Sequence, residues 1–188
     1  MMKSVLIAIR PQWVEKIASG QKTIEVRKTA PKEVPFKAYI YCTKEKKQDD
    51  IIWAGIFGDR GKWNGRVIGE FICNNASELD YVYYWNNGYE FATCLTYRQV
   101  ADYGKGKTLY GWHIGDLKIY DKSKTLVEFY KCGAESFEEL SDTEDLCSYC
   151  SRTGFCEGRW CDEAYQNYLD VDFALTRAPS NWCYVEEL

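Results

Sequence analysis

The sequence predicts an α+β protein that is mainly β, a small antiparallel β-barrel with flanking short helices and a cysteine-rich insertion. Short apolar or alternating segments recur along the chain between Gly, Pro and polar clusters, which is typical of strands and turns. Helical periodicity is confined to two or three brief segments. The length of 188 residues suits one substantial core, so we expect a single domain over residues 1–188.

The first predicted elements are a strand, a helix and a second strand. The apolar run Ser4–Ile9 predicts a buried strand, and Pro11 suits the first position of the helix that follows. That helix has one apolar face, and Gly20 stands where a left-handed C-terminal cap is needed. Lys22–Lys28 predicts the second strand. The apolar face of the helix comprises Trp13, Val14, Ile17 and Ala18.

Later strands are predicted where apolar residues alternate or cluster, and a short helix is predicted at Thr96–Tyr103. The pair Gly115-Asp116 predicts a turn between two of these strands. The aromatic segment Ser77–Asn87 favours neither helix nor strand. The predicted strands are Phe36–Cys42, Val67–Cys73, Leu109–Ile114, Leu117–Tyr120 and a closing strand at Ser180–Glu186.

Two polar segments interrupt this pattern, and the charge is unevenly distributed. Residues 44–66 are charged and Gly-rich and predict a mobile insertion, and residues 129–178 predict an acidic, cysteine-rich insertion. The net charge is −4, yet residues 1–70 carry 14 Lys and Arg against 8 Asp and Glu, or +6. Because local charge decides where an anion docks, the basic region is the expected binding region. The acidic total disfavours tight nonspecific binding to duplex nucleic acid.

A short motif after the first helix concentrates charged residues. In a strand, Glu25 and Arg27 share one face, and Lys22 lies at the mouth of the preceding turn. Two cations and one carboxylate around one spot suit a nucleotide or another polar anion, while an ion pair that pins the turn is the structural alternative. We expect Lys22 and Arg27 on a polar face, so that replacing either would cost little stability. Arg10, between the first strand and the helix, can reach the same region.

This motif, Gly20-x-Lys22-x-x-Glu25-x-Arg27, resembles the signature of the ASCH domain, and later segments resemble the bacterial and phage version of that domain. The ASCH domain is a β-barrel similar to the PUA fold. The resemblance covers about residues 3–128 and the final strand. Its further matching segments are Gly65–Phe71, Leu109–Ile114, Leu117–Tyr120 and Trp182–Glu186.

The resemblance implies RNA or nucleotide binding in a cleft beside the motif. Some small ASCH proteins are instead amidohydrolases that deacetylate N-acetylated cytidine with a lysine equivalent to Lys22, a threonine three residues later and a distant glutamate. Glu25 stands in the place of that threonine, which removes the proposed hydroxyl. An enzyme that acts on a modified nucleoside therefore stays the alternative to a binding protein.

Nine cysteines without a secretion signal argue against a disulfide framework. The late cluster of Cys147, Cys150, Cys156 and Cys161 has a spacing that can hold a structural Zn²⁺ through four thiolates, and Cys132 is a fifth candidate. Free thiols on an acidic loop are the alternative. Four other cysteines are expected to be small buried hydrophobes, namely Cys42, Cys73, Cys94 and Cys183.

The remaining expectations concern location, partners and catalysis. The N-terminal apolar run is too short for a signal peptide, and no run is long enough for a transmembrane helix, so we expect a cytoplasmic protein without membrane contact. The acidic insertion suits recruitment of a protein partner. His113, the one histidine, lies in an aromatic strand and is expected to be structural, so no catalytic residue is assigned.

Overall fold

The computed structural model describes residues 2–44, 63–79, 88–131 and 174–187. These residues form two compact units, of which the first comprises the residues up to Thr125 together with Ala178–Tyr184. The strands are β1 (Ser4–Ile9), β2 (Ile24–Arg27), β3 (Phe36–Cys42), β4 (Val67–Cys73), β5 (Ala76–Glu78), β6 (Tyr110–His113), β7 (Gly115–Lys124), β8 (Phe129–Lys131) and β9 (Trp182–Glu187). The helices are α1 (Pro11–Ala18), α2 (Tyr89–Thr93) and α3 (Tyr97–Gly104), and Leu126–Glu128 forms a 3₁₀ turn.

The first unit contains two sheets. In the larger sheet the strand order is β7-β4-β3-β1-β9, with residues Trp182–Tyr184 of β9 beside β1. The smaller sheet has the order β2-β6-β5. Strands β1 and β3 pair in parallel, with Val5 opposite Ala38, whereas the other ladders of these two sheets are antiparallel. The ladders of these sheets are thus mostly antiparallel, as predicted, and α1 and β2 provide the long crossover that the parallel pair requires.

The core explains why the predicted strands form. Strand β1 is central, and Val5, Leu6 and Ile7 are all fully buried, as a strand covered on both faces requires. Alternate residues of β3 and β4 pack with α1 and with Trp112, whose ring lies 5.0 Å from that of Phe36. A smaller apolar cluster packs beside α3 and comprises Val26, Leu79, Val100 and Leu109. Strand β2 is thus anchored by the apolar side chains on one of its faces.

The predicted turn at Gly115-Asp116 is wrong. Strand β7 begins at Gly115, which lies opposite Ile72 of β4. A Cβ at Gly115 would lie 3.1 Å from the Ile72 carbonyl oxygen, so the glycine permits close approach of two strands. The chain instead passes from the smaller sheet to the larger one at Ile114, between β6 and β7.

In the second unit, Phe129–Lys131 of β8 pair with Val185–Glu187 of β9. Most of the predicted insertion at residues 129–178 and of the one at residues 44–66 lies outside the described residues.

Candidate functional site

The turn after α1 places Lys22 inside the protein. Gly20 adopts φ +75°, the left-handed conformation expected of a residue that ends a helix. The Lys22 backbone N–H then donates to the Lys16 carbonyl at 2.9 Å, which folds the turn back onto α1. The Lys22 side chain is consequently almost completely buried, with 2% of its surface exposed.

Strand β2 brings Glu25 and Arg27 to the same place. It pairs with β6 in antiparallel register, with Glu25 opposite Trp112 and Arg27 opposite Tyr110. Glu25 and Arg27 are 5% and 7% exposed. The expectation that the two cations lie on a polar face is therefore wrong, because the strand is buried along its whole length.

One carboxylate lies between the two cations. The Lys22 Nζ lies 3.3 Å from Glu25 Oε2, and the Arg27 Nη2 lies 3.1 Å from Glu25 Oε1. Both ion pairs that the sequence suggested as a structural alternative are therefore present. Because one anion faces two cations, the Lys22–Glu25–Arg27 cluster keeps a formal charge of +1.

Each cation also has a tertiary partner. Lys22 Nζ donates to the Thr93 carbonyl at 2.6 Å and lies 5.4 Å from the centre of the Trp13 ring. Arg27 Nη2 donates to the Ala8 carbonyl at 2.6 Å, and Arg27 Nη1 donates to Asn181 Oδ1 at 2.8 Å. The cluster therefore links α1, α2, the end of β1 and the residue before β9.

Two buried polar atoms of the cluster have no hydrogen-bond partner among the described residues. They are Arg27 Nε and Glu25 Oε2, and the approach of Lys22 to the latter is an ion pair without hydrogen-bond geometry. A buried donor without an acceptor is costly. Arg27 Nε therefore keeps a donor without an acceptor among the described residues.

Tyr103 and Arg10 extend the cluster toward the surface. Burial raises the pKa of the Tyr103 hydroxyl, the Arg27 and Arg10 charges oppose that rise, and the Glu25 carboxylate adds to it. Tyr103 is thus within electrostatic reach of all three side chains and stays neutral near neutral pH. Arg10 is exposed. The ammonium of Lys28 lies 4.9 Å from the Tyr103 ring centre and adds positive charge there.

A hydrogen-bond network lies behind Arg27. Asn181 Nδ2 donates to Thr29 Oγ1 at 3.4 Å, and Trp182 Nε1 donates to the same oxygen at 3.0 Å. Trp112 Nε1 donates to the Thr29 carbonyl at 3.3 Å. Thr29 therefore ties β2 to the residues that orient the Arg27 guanidinium.

Several of these partners carry little or no signal in the sequence. Thr93 acts through its carbonyl, which leaves no signal in the residue type. Asn181 and Thr29 are polar residues in loops, where such residues are ordinary. Tyr103 has a weak signal, because it is an aromatic residue near the end of a predicted helix within a basic, Gly-containing stretch.

The cysteines are only partly described. Cys42 and Cys73 are buried, as expected, and burial raises the pKa of the Cys73 thiol to about 11. Cys94 and Cys183 are half-buried. Within residues 2–44, 63–79, 88–131 and 174–187 no group of three or more His, Cys, Asp or Glu is placed to hold a metal ion. The predicted zinc ligands lie outside the described residues, namely Cys132, Cys147, Cys150, Cys156 and Cys161.

The one histidine, His113, lies in β6 and is not part of the Lys22–Glu25–Arg27 cluster. His113 pairs with Ile24 at the edge of β2, is partly exposed, and has its pKa lowered by burial. Its backbone N–H donates to the Asn75 carbonyl at 2.9 Å. The structural role expected of its side chain stays a prediction.

The described residues form a mainly β domain that contains a buried cluster of Lys22, Glu25 and Arg27. Two solved structures of similar fold are ASCH from Zymomonas mobilis and a serine-to-alanine mutant of that protein. Each is 21% identical to this chain with a TM-score of 0.50, and the alignments cover 66% of this chain and 74% and 75% of theirs. The chain therefore has the fold of an ASCH domain, which confirms the expected fold class.

No protein-family model matches the chain, and no curated protein matches it. Among the helices that the structure describes, none qualifies as a membrane-spanning segment.

Proposed function

We propose that this protein binds RNA or a nucleotide through the Lys22–Glu25–Arg27 cluster, with Arg10 at its rim. The observation that carries the proposal is the Arg27 guanidinium, which is fixed by Asn181, Ala8 and Glu25 and adds to the positive charge around Tyr103, where the exposed Arg10 also acts. That charge attracts a phosphate oxygen or the edge of a base, and Arg10 offers the exposed donors that contact it.

The electrostatics favour an anion. Lys22, Arg27 and Arg10 supply three positive charges, and Glu25 supplies one negative charge. Three of these four side chains are at least nine-tenths buried, where screening by salt is weak and the field of the excess positive charge is strong. Phosphate groups carry the negative charge that such a site attracts.

The fold supports the same class of ligand. The sequence motif resembles the ASCH signature, for which RNA or nucleotide binding is implied, and the fold is that of ASCH domain structures. The motif that carries the resemblance is also the source of the cation cluster. The resemblance and the contacts therefore point to the same three side chains.

Binding is favoured over hydrolysis of an acetylated nucleoside. Glu25 occupies the position at which the amidohydrolases of the family have a threonine, and it pairs with both cations. The nearby Thr23 is exposed, and its backbone N–H and carbonyl are held by Ala92 and Ile114. Lys22, for its part, donates to the Thr93 carbonyl, so its ammonium is held as a fixed positive charge.

The test is a binding measurement on a variant that should not disturb the fold. We expect Arg10→Gln to weaken binding of a fluorescent single-stranded RNA, and of a labelled nucleotide, about five- to tenfold. The slope of the logarithm of the RNA-binding constant against the logarithm of the salt concentration should become shallower by about 0.7, as expected for one lost phosphate contact. Arg98→Gln is the matched control, since that side chain is 92% exposed and forms an ion pair with Asp102 of its own helix at 4.0 Å. Equal affinities of the Arg10 and Arg98 variants would contradict the proposed function.

A further inference from the structure

Exposed aromatic and apolar side chains are concentrated on two short helices near the cation cluster. Of the six large hydrophobic side chains that the described residues expose, Phe91, Tyr97 and Tyr103 lie on α2 and α3. Phe91 stands out because 84% of its surface is exposed. Single exposed hydrophobic residues are ordinary, but Phe91 is almost fully exposed on a helix that contacts the charged cluster directly, which makes it the candidate for ligand contact.

Helix α2 is fastened directly to the turn that bears Lys22. The Thr23 N–H donates to the Ala92 carbonyl at 2.8 Å, and Lys22 Nζ donates to the Thr93 carbonyl at 2.6 Å. The Cys94 thiol lies 3.4 Å from the Gln21 carbonyl oxygen. Phe91 and Thr93 are two residues apart in one helix, so their Cα atoms are about 5.5 Å apart. Positions two apart do not share a helix face, so the exposed Phe91 ring and the Lys22 ammonium occupy separate positions on the same helix.

Single-stranded nucleic acid is the ligand class that matches an exposed ring together with an excess of positive charge. Single-stranded nucleic acid offers unstacked bases with π-faces next to phosphates, and aromatic side chains in binding proteins stack such bases. In a duplex the bases stack on one another, so their faces are unavailable to a side chain.

Resting on the proposed function, we propose that Phe91 stacks an unpaired base of single-stranded RNA whose phosphate lies at Arg10 and the Lys22–Glu25–Arg27 cluster. The protein then selects single strands over duplexes and over mononucleotides, because only a single strand of more than one nucleotide offers both a free base face and a phosphate at separate positions.

The test compares two replacements of Phe91. Phe91→Leu keeps an apolar side chain without a ring, and we expect it to weaken binding of a single-stranded RNA oligonucleotide roughly tenfold while leaving a duplex of the same sequence and a nucleoside monophosphate unchanged. Phe91→Trp keeps a stacking ring, so it should bind the single strand at least as tightly as the original protein. Its added indole emission should be quenched by single-stranded RNA and unchanged by the duplex.

Thermal unfolding of both variants should match that of the original protein, since the side chain is exposed. Unchanged single-strand affinity of Phe91→Leu, or equal affinity of the original protein for single strand and duplex, would overturn the stacking inference. In either case a weakened Arg10→Gln variant would leave the proposed function standing. If the Arg10 and Phe91 variants both bind every probe like the original protein, both proposals fail.

Discussion

The Lys22 ammonium and the Glu25 carboxylate lie 3.3 Å apart with 1% and 7% of their side-chain surfaces exposed. Arg27 holds the other carboxylate oxygen at 3.1 Å. A short sequence motif thus becomes a buried three-residue cluster that joins α1, β2 and α2. Removing any member leaves charge without its partner inside the protein, so the motif contributes to the stability of the fold.

We expect Lys22→Ala to lower the free energy of unfolding by about 3 to 5 kcal/mol, because it leaves Glu25 buried with one partner fewer and the Thr93 carbonyl without its donor. Urea denaturation monitored by circular dichroism measures the change. Lys3→Ala is the control: the Lys3–Glu33 pair, at 3.1 Å, is 51% and 69% exposed, and such pairs contribute about 0 to 1 kcal/mol. Similar losses for the two variants would contradict the buried pairing.

Asn181 is expected to act through Arg27. Asn181→Ala removes the acceptor at 2.8 Å from Arg27 Nη1, and we expect RNA affinity to fall about threefold and stability by about 1 to 2 kcal/mol. Asn181→Asp retains the acceptor oxygen, so it should recover stability, whereas its negative charge cancels the excess positive charge of the cluster and should keep RNA affinity low. Fluorescence anisotropy alongside urea denaturation separates the two effects. If the Asp variant is as unstable as the Ala variant, Asn181 does not hold the guanidinium.

Alkaline pH should destabilise the fold. Burial raises the pKa of Cys73 from 9.0 to about 11, and it also raises the pKa of the Tyr39, Tyr41, Tyr103 and Tyr120 hydroxyls above 10.0. Above these ordinary values the unfolded chain loses protons that the folded chain keeps. The free energy of unfolding is therefore unaffected by these groups below pH 9 and should fall as the pH rises through about 11.

Urea denaturation as a function of pH, with tyrosinate absorbance in parallel, measures this effect. Tyr120→Phe is the informative variant, because the Tyr120 hydroxyl donates to Glu70 Oε2 at 2.5 Å, which adds to the rise in its pKa. The variant should lose less stability between neutral and alkaline pH than the original protein. If the free energy of unfolding stays constant as the pH rises past about 11, the fold does not raise the pKa values of these groups.

We propose from the sequence spacing that one Zn²⁺ is bound by four of Cys132, Cys147, Cys150, Cys156 and Cys161. An all-sulfur shell gives metal–sulfur bonds of about 2.3 Å, which X-ray absorption spectroscopy measures. Elemental analysis of protein purified without chelator should find one equivalent of zinc. Chelation should leave the circular dichroism of the β-sheets in place, since these strands have their own core. Protein that lacks stoichiometric zinc while all its thiols react freely would exclude the site.

The strand bounds and the candidate cluster differ in how far the sequence alone determines them. Local patterns predicted β1, β3 and β4 with the bounds that the structure has, and Gly20 predicted the end of α1. Alternation along β2 also predicted that Glu25 and Arg27 share a face. These features depend on nearest neighbours in the chain, because side-chain periodicity and glycine conformation are local properties.

The tertiary structure alone decided the rest. Ala8 is 19 residues from Arg27, Thr93 is 71 residues from Lys22, and Asn181 is 154 residues from Arg27, so no local pattern encodes these contacts. The parallel pairing of β1 with β3 likewise follows from how the chain crosses over. Burial of Lys22 and Arg27 results from layers that distant segments supply, because a charged residue is buried only where a folded surface brings it partners. The sequence therefore determined which charged residues share one short motif, and the fold decided that they lie inside the protein and which partners they have.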